Sequence, residues 1–305
     1  MTIKIPHPFP YQGSKRNLAS EIAKFIPSNV ETLYEPFAGS AALSIYIALT
    51  KKVQQFTFGD TNVPLISLWN AIITSPTDLC DRYEIVWHGQ FESGEKQHYE
   101  AIRQEFNQTK KPEHLLYLLA RCVKAAVRYN SNGEFNQGRD KRRSGTQPSK
   151  MRESILQVAS LLKGRVKLFS STYQLTIQNV TERDLVYLDP PYQGTSGNKN
   201  PRYINGLVHE DFVTTLYELN ARQISYIVSY DGRTGTKTHG QQLSKKLCLR
   251  HIELYAGRSS QGTLLGQELD TYESLYLSPA LLQRLQQNTS VVPQPLLDQA
   301  VLLHL

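Results

Sequence analysis

The sequence predicts an α/β protein with a largely parallel sheet and a mostly helical segment inserted after its second strand. Two short apolar runs end in an acidic residue, at Glu35 and at Asp60, and a helical pattern follows each. Strand signals are scarce from about residue 75 to residue 163 and then return. The apolar run 185–188 also ends in a carboxylate, Asp189. Because open α/β sheets bind ligands outside the carboxyl ends of their strands, these acids predict a site at that edge.

The composition is that of an ordinary globular protein with a basic surface. Of its 305 residues, 40% are apolar and 20% are charged, and the net charge of +7 favours a polyanionic partner. Cys80, Cys122 and Cys248 form no metal-ligand or disulfide pattern. The amino terminus shows no apolar signal segment, and no run is long enough to span a bilayer. We therefore expect a cytoplasmic protein with reduced thiols, without membrane contact and without a metal.

The amino-terminal segment 8–18 is an aromatic, basic loop that contains glycine. A helix is predicted from Asn17 to Phe25, and Pro27 ends it. Tyr11 and Lys15 suit stacking on a bound cofactor and neutralising it. An ordinary terminal arm is the alternative interpretation.

A strand, a tight turn and a helix are predicted over residues 31–44. Glu35 ends the strand, Gly39 lies in the turn and the helix begins near Ser40. A single glycine makes neither a dinucleotide fingerprint nor a phosphate-binding loop, so the acid favours a ligand with a cationic amino group. The next strand ends at Asp60, which is placed to accept hydrogen bonds from a ribose diol. Together these features predict an adenosine-containing ligand.

The middle third, from about residue 75 to residue 163, shows little strand signal. One helix is predicted over Leu115–Ala126, and a polar loop follows it over residues 127–145. This loop mixes Arg, Lys and Asn with Tyr129 and Phe135. Arg and Asn suit base edges, basic residues suit phosphates, and aromatic rings wedge or stack between bases. A solvated surface loop is the alternative, but the interleaved amides and rings favour nucleic acid.

The last part of the chain resumes the sheet pattern. Two basic segments that contain glycine, 232–237 and 257–262, are predicted loops, and a poorly packed tail begins at Gln283. The predicted strands are 166–170, 184–192, 224–229, 247–254 and 273–277.

The most informative stretch is Asp189-Pro-Pro-Tyr192, directly after a buried strand. Pro190 and Pro191 fix the backbone and donate no hydrogen bond, so the nearby carbonyls stay free to accept. A carboxylate, a free carbonyl and a flat ring form a receptor for a planar group that carries an NH₂. A Pro-Pro turn with a structural aspartate is the alternative interpretation of this tetrapeptide alone.

Four blocks, supported by the loop Arg128–Asn136, resemble the Dam family of DNA adenine methyltransferases (D12 class, alpha group). In this family the cofactor motifs precede the catalytic one. Singly each block is weak evidence, but their order and family-like spacing make the resemblance specific up to about residue 280. The four blocks are Pro10–Lys15, Glu35–Ser40, Asp60–Leu68 and Asp189–Tyr192.

The resemblance implies transfer of a methyl group from S-adenosylmethionine to adenine N6 in double-stranded DNA, after base flipping. It implies a role in a restriction-modification or an epigenetic marking system, and it leaves open whether a cognate restriction endonuclease is a partner. The implied cofactor contacts are Tyr11, Lys15, Glu35, Phe37, Gly39, Ser40, Asp60 and Asp189. The implied catalytic group is Asp189, Pro190, Pro191 and Tyr192. The implied DNA contacts are Arg128, Tyr129, Asn130, Asn132, Asn136, Arg139, Lys141, Arg142 and Arg143.

The implied fold is a Rossmann-like S-adenosylmethionine-dependent methyltransferase sheet, its last strand antiparallel, with an inserted, mostly helical DNA-recognition domain. On this basis residues 1–74 and 164–282 form the catalytic methyltransferase domain. Residues 75–163 form the target-recognition domain, and residues 283–305 form a tail.

Two departures from the family pattern affect the expected specificity and local geometry. Gln12 and the pair Gly13-Ser14 stand where the family has a Gly-Gly pair. Asn132 aligns with an Arg that contacts guanine in members reading GATC, and Asn favours adenine over guanine. We therefore do not expect a GATC target.

Three alternative functions remain open at this stage. Methylation of cytosine N4, or of a base in RNA, would use the same receptor for an amino group. A non-catalytic DNA-binding protein on this fold is disfavoured by the intact Asp-Pro-Pro-Tyr. A nicotinamide-dependent oxidoreductase is disfavoured because the chain lacks Gly-x-Gly-x-x-Gly.

Overall fold

A computed structural model describes residues 5–50, 52–191, 208–235, 237–239, 243–258 and 270–287. Within these ranges one sheet runs in the order β3-β2-β1-β4-β5-β8-β7, and the short β6 pairs with the end of β5. The strands are β1 Thr32–Glu35, β2 Gln55–Gly59, β3 Val166–Phe169, β4 Leu185–Leu188, β5 Ser225–Thr234, β6 Lys237–His239, β7 Arg250–Arg258 and β8 Asp270–Leu277.

The first five strands are parallel, and their carboxyl ends therefore lie at one edge of the sheet. Strand β8 enters between β5 and β7 and runs antiparallel to both. The prediction of an α/β protein with a largely parallel sheet and an antiparallel last strand is confirmed.

Ten α-helices accompany the sheet in the described part of the chain. Proline occupies the first turn of α3, α4, α6 and α7, where its missing N–H costs no helical hydrogen bond. The helices are α1 Ala19–Ile22, α2 Ala42–Thr50, α3 Val63–Thr74, α4 Pro76–Glu92, α5 Glu95–Thr109, α6 Pro112–Arg121, α7 Pro148–Leu162, α8 Tyr173–Ile177, α9 His209–Ala221 and α10 Pro279–Gln287.

Helices cover both faces of the central strand β4, whose four residues are all buried. Leu185 and Tyr187 belong to a core shared with α1, α2 and α3, whereas Val186 and Leu188 belong to a core shared with α8 and α9. Burial on both faces explains why the strand is continuously apolar. It also fixes Asp189, the next residue, at the carboxyl edge.

Helices α4 to α7 form the region inserted between β2 and β3. Helix α3 packs against both α6 and α7, and α2 also contacts α7, so the region is joined to the sheet layer through these helices. Trp69 of α3 is fully buried and packs edge-on against Phe9 and Phe58. The predicted helical character of residues 75–163 therefore holds, apart from the polar loop between α6 and α7.

Two local predictions were wrong. The helix predicted over 115–126 ends at Arg121, and Lys124 and Ala125 take positive φ angles of 60° and 50°. The predicted loop 232–237 is a hairpin in which β5 continues to Thr234 and turns at Gly235 into β6. The segment was predicted as a loop because it contains glycine and basic residues. Its backbone instead forms hydrogen bonds between the antiparallel strands β5 and β6.

The carboxyl-terminal boundaries also differ from the prediction. Residues 257–258 still belong to β7, while the rest of the predicted loop 257–262 lies outside the described residues. Helix α10 continues past residue 283, and its Leu285 is buried. Among the described helices, none is both long and apolar enough to cross a membrane.

Candidate active site

All the residues predicted to contact a cofactor line one cleft of about 290 Å³ at the carboxyl edge of the sheet. Strands β1, β2 and β4 each bring one acidic residue to it, and the amino-terminal loop forms its other wall. The predicted cofactor residues in this lining are Tyr11, Lys15, Glu35, Phe37, Gly39, Ser40, Asp60 and Asp189.

Glu35 is the most deeply buried of the acids, with 4% of its surface exposed. Its Oε1 accepts a hydrogen bond of 2.7 Å from the backbone N–H of Ser44, in the first turn of α2. Burial raises the pKa of Glu35 to about 7, because removal from water disfavours the charged form more than the contacts with Ser44 favour it. A cationic ligand in the cleft would reverse this balance.

Asp60 joins the ends of β1 and β2. Its Oδ1 accepts the N–H of Asn62 at 2.9 Å, and its Oδ2 accepts the N–H of Gly39 at 3.4 Å. Burial raises the pKa of Asp60 to about 6, against the effect of these two hydrogen bonds. The carboxyl group is thus fixed where a ligand's hydroxyls could reach it.

The turn between β1 and α2 requires glycine at position 39. Gly39 has a φ of +47°, and a Cβ there would lie 3.0 Å from the Tyr11 ring. The indole N–H of Trp69 donates to the Gly39 carbonyl at 2.9 Å, which holds the turn from behind. Backbone and ring therefore approach closely and leave the cleft open beside them.

At Gly13-Ser14, where the family pattern has two glycines, the serine side chain makes a hydrogen bond of its own. Gly13 takes a φ of +85°, whereas Ser14 has no positive φ and tolerates a side chain. The Ser40 hydroxyl donates to the Ser14 hydroxyl at 2.8 Å and joins the amino-terminal loop to the turn before α2.

Asp189 pairs with Lys15 across the cleft. The Lys15 Nζ lies 3.0 Å from Asp189 Oδ1, and Lys15 is only 8% exposed. Burial raises the pKa of Asp189 to about 6, although the ammonium of Lys15 opposes the shift. Pro190 and Pro191 also line the cleft, whereas Tyr192, the last predicted catalytic residue, lies outside the described residues.

Several residues of the lining were not predicted from the sequence. Tyr173, just after β3, stacks on Phe37 with ring centroids 5.2 Å apart and an angle of 28° between the planes. The sequence could have indicated Tyr173 as a lining residue, because it follows the carboxyl end of a predicted parallel strand. The other missed residues of the lining include Thr172, Gln174, Val208 and Asp211.

The polar loop between α6 and α7 begins with a hairpin. Backbone hydrogen bonds join Asn130 to Glu134 in one direction and Asn136 to Arg128 in the other. The side-chain oxygen of Asn130 accepts the N–H groups of Asn132 and Glu134 at 3.0 and 2.9 Å, and so it shapes the tip. The predicted DNA contacts that lie exposed on this loop are Asn132, Asn136, Lys141, Arg142 and Arg143.

Two predicted DNA contacts, Tyr129 and Arg139, are largely buried against other parts of the protein. Tyr129 is 4% exposed, and its hydroxyl donates to Asn62 Oδ1 at 3.1 Å, so its ring is not available for stacking on a base. Arg139 pairs with Glu95 at 2.6 Å and has 18% of its side chain exposed. Within this fold both residues hold the loop against the protein.

The polar loop between α6 and α7 contacts the elements that build the cleft at two points. One is the hydrogen bond from Tyr129 to Asn62, the residue whose N–H binds Asp60. The other runs from the N–H of Gln12, beside Tyr11, to the carbonyl of Ala125 at 3.0 Å. In the described residues no group of three or more His, Cys, Asp or Glu side chains is arranged to hold a metal ion.

Comparison with known proteins agrees with the chemistry of this cleft. Residues 11–254 match the family model described as D12 class N6 adenine-specific DNA methyltransferase. The "Type II methyltransferase M.FokI" of Planomicrobium okeanokoites is 25% identical over 285 residues, which are 89% of this chain and 43% of that enzyme.

Two further relatives show the same similarity over different lengths. The "Modification methylase StsI" of Streptococcus sanguinis is 28% identical over 64% of this chain and 30% of its own length. The "DNA adenine methylase" of Vibrio cholerae is 26% identical over 84% of this chain and 93% of its own length. The chain thus spans less than half the length of the first two enzymes.

Proposed function

The chain belongs to the D12 class of N6 adenine-specific DNA methyltransferases, and from this premise we propose that it methylates adenine N6 in double-stranded DNA. The observation that carries the proposal is the convergence of Glu35, Asp60 and Asp189 in one cleft that continues to Pro190. Methyltransferases of this class use S-adenosylmethionine as the methyl donor.

The cleft fits that donor by its chemistry. Its buried acids suit a ligand that carries an ammonium and a sulfonium group, because each positive charge favours the ionised carboxylates. Asp60 is placed for the ribose hydroxyls, and the missing Cβ of Gly39 leaves room beside Tyr11. When bound, S-adenosylmethionine supplies a methyl carbon attached to a positively charged sulfur.

Asp189 and Pro190 would make the adenine amino group reactive. The lone pair of this nitrogen is delocalised into the ring, so the group is a poor nucleophile. Asp189 and the Pro190 carbonyl accept its two hydrogens, which favours a pyramidal nitrogen with a directed lone pair. The protein works by positioning and electrostatics and needs no covalent intermediate.

The inserted region would present the target base. Adenine cannot reach a cleft of this depth while stacked in a duplex, so the base must flip out. The exposed residues Asn132 and Asn136 suit contacts with bases, and Lys141, Arg142 and Arg143 suit contacts with phosphates. We assign residues 75–163 to target recognition and do not propose GATC as the target.

The proposed setting follows from the substrate. We place the protein with DNA in the interior of a prokaryotic or phage-infected cell. Relatives named Type II methyltransferase and modification methylase make a restriction endonuclease of the same specificity the proposed protein partner. Protection of methylated DNA from such an endonuclease tests this pairing.

The proposal is tested by incubating the protein with labelled S-adenosylmethionine and unmodified plasmid DNA, then identifying and mapping the modified base. We expect N6-methyladenine at one short motif. Asp189→Ala should lower turnover by at least about 100-fold, as expected for loss of a positioned catalytic group, while DNA binding persists.

The outcomes separate the alternatives. Transfer to cytosine N4 or to RNA would replace the proposed substrate. Cofactor binding without transfer to any nucleic acid would contradict the enzymatic proposal, and residual activity above about a tenth of wild type in Asp189→Ala would contradict the role of that carboxylate.

A further inference from the structure

Glu273 lies at the same edge of the sheet as the acids of the cleft. Strand β8 runs antiparallel to β5, so it begins where the parallel strands end. In the register of the sheet, Glu273 stands opposite Gly232 of β5 and Leu254 of β7. The match to the family model ends at residue 254, before this strand.

The ammonium of Lys15 is shared between two carboxylates. Its Nζ lies 3.0 Å from Asp189 Oδ1 and 3.6 Å from Glu273 Oε2. Lys15 is 8% exposed, and the side chains of Asp189 and Glu273 are 20% and 19% exposed. One largely buried positive charge therefore faces the catalytic carboxylate on one side and a second carboxylate on the other.

We propose that Glu273 is a positioning residue for methyl transfer, which holds the Lys15 ammonium so that Asp189 stays a strong acceptor for the adenine amino group. The inference rests on the proposed function, because only the approach of an amino group gives Asp189 this task. Without Glu273, the ammonium would lose the attraction of the second carboxylate and would compete more strongly for the Asp189 oxygen that the base requires.

The electrostatics of the cleft give this arrangement a measurable signature. Burial is the main cause that raises the pKa of Asp189, Lys15 lowers that pKa, and the like charge of Glu273 raises it. Glu35 of β1 is also coupled to Asp189, and Asp211 of α9 lines the same cleft. Neutralising Glu273 removes one repulsion and leaves the others in place.

The experiment compares wild type with Glu273→Gln in single-turnover methyl transfer to duplex DNA as a function of pH. At saturating S-adenosylmethionine, so that protonation of Glu35 and Asp60 does not limit cofactor binding, wild type should lose activity below about pH 6, as Asp189 is protonated. In Glu273→Gln this limb should move down by about one pH unit. The rate at the plateau should fall about tenfold, because a pKa of Asp189 that is lower by one unit corresponds to a tenfold weaker acceptor for the amino group.

A matched control is available on the neighbouring strand. Leu254 of β7 is the cross-strand partner of Glu273, so its neighbour Glu253 points to the opposite face of the sheet. There Glu253 accepts two hydrogen bonds from Arg233, at 2.8 and 2.9 Å. Glu253→Gln should leave the acid limb in place. Glu273→Asp keeps the negative charge, so it should lose activity at nearly the same low pH as wild type. This result would show that the shift in Glu273→Gln comes from the loss of charge.

A second readout does not depend on turnover. The pKa of Asp189, followed by NMR of ¹³C-carboxyl-labelled aspartate and assigned with Asp189→Ala, should fall in Glu273→Gln and rise in Lys15→Met. An acid limb and an Asp189 pKa that both stay at the wild-type values in Glu273→Gln would overturn this inference and leave the proposed function standing. Failure of the wild type to methylate adenine would overturn the proposed function and this inference together.

Discussion

At the scale of single residues, the cleft is built from carboxyl groups that are held in an unfavourable state until a ligand arrives. Burial raises the pKa of Glu35 to about 7 and those of Asp60 and Asp189 to about 6. Near neutral pH the protein therefore places ionised or partly ionised acids where water solvates them poorly. Binding of a cationic ligand would relieve this cost.

Glu35→Gln should separate stability from ligand binding. A carboxyl group with a raised pKa in the folded protein stabilises it fully below the ordinary pKa of 4.5, and that contribution is lost as the pH rises through about 7. The amide keeps an oxygen for the Ser44 N–H but cannot ionise. At pH 8 the variant should exceed wild type in free energy of unfolding by up to about 3 kcal/mol.

Urea unfolding at pH 4 and pH 8 measures this difference. The two proteins should have similar stabilities at pH 4, and the variant should bind S-adenosylmethionine more weakly at pH 8. Asp60 titrates in both proteins, so its contribution cancels in the comparison. Loss of the repulsion from Glu35 also favours ionisation of Asp189 in the variant, and this adds to the difference in the same direction. A stability difference that is the same at both pH values would contradict the burial of an ionisable group at this position.

At the scale of elements, the hairpin over residues 128–136 and the loops that line the cleft are held by common contacts. Tyr129 reaches Asn62 at the start of α3, and Asn62 in turn binds Asp60 at the end of β2. Ala125, before the hairpin, binds Gln12 of the amino-terminal loop. A displacement of the hairpin on DNA would therefore be transmitted to both walls of the cleft.

Tyr129→Phe removes the first of these contacts with little change in volume. The buried Oδ1 of Asn62 loses its donor, so the free energy of unfolding should fall by about 1–2 kcal/mol. Because the hairpin contacts the walls of the cleft, we expect bound DNA to change the affinity for S-adenosylmethionine, and this change should be smaller in the variant. Titrations with and without DNA measure it. Tyr217→Phe, at a site 40% exposed on α9, serves as the control.

A double-mutant cycle with Asn62→Ala tests whether the hydrogen bond itself is responsible. The effects of the two substitutions should be clearly less than additive, because either one breaks the same contact. Additive effects would mean that Tyr129 and Asn62 act on stability independently, and would contradict the coupling between hairpin and cleft.

The elements also show how far the sequence could predict this site. Glu35, Asp60 and Asp189 were predictable because each follows an apolar strand directly, and parallel strands bring such residues together. The burial of Tyr129 was not, because its partner Asn62 lies 67 residues away. Glu273 was missed because it precedes the buried part of an antiparallel strand, and a pattern of hydrophobicity does not reveal strand direction.

At the scale of the whole molecule, one exposed basic segment of this chain, whose net charge is +7, lies in the loop before α7. Arg142 and Arg143 are 81% and 63% exposed, and both pair with the largely buried Asp140, which keeps them beside Lys141. These side chains can exchange a weak surface ion pair for a DNA phosphate, since exposed pairs contribute little to stability. Phosphate contacts set affinity and leave sequence preference unchanged.

The combined variant Lys141→Gln and Arg142→Gln should weaken binding to all duplexes to a similar extent. Because each lost phosphate contact removes about one unit from the slope of log K against log salt, the slope should become shallower by about two. Fluorescence anisotropy at several salt concentrations measures this for target and unrelated DNA.

Lys24→Gln with Lys163→Gln is the matched control, since both lysines are exposed and Lys24 already pairs with Glu21. An unchanged slope in the first variant would show that this loop faces away from the DNA, and a change of motif preference would show that it reads bases instead.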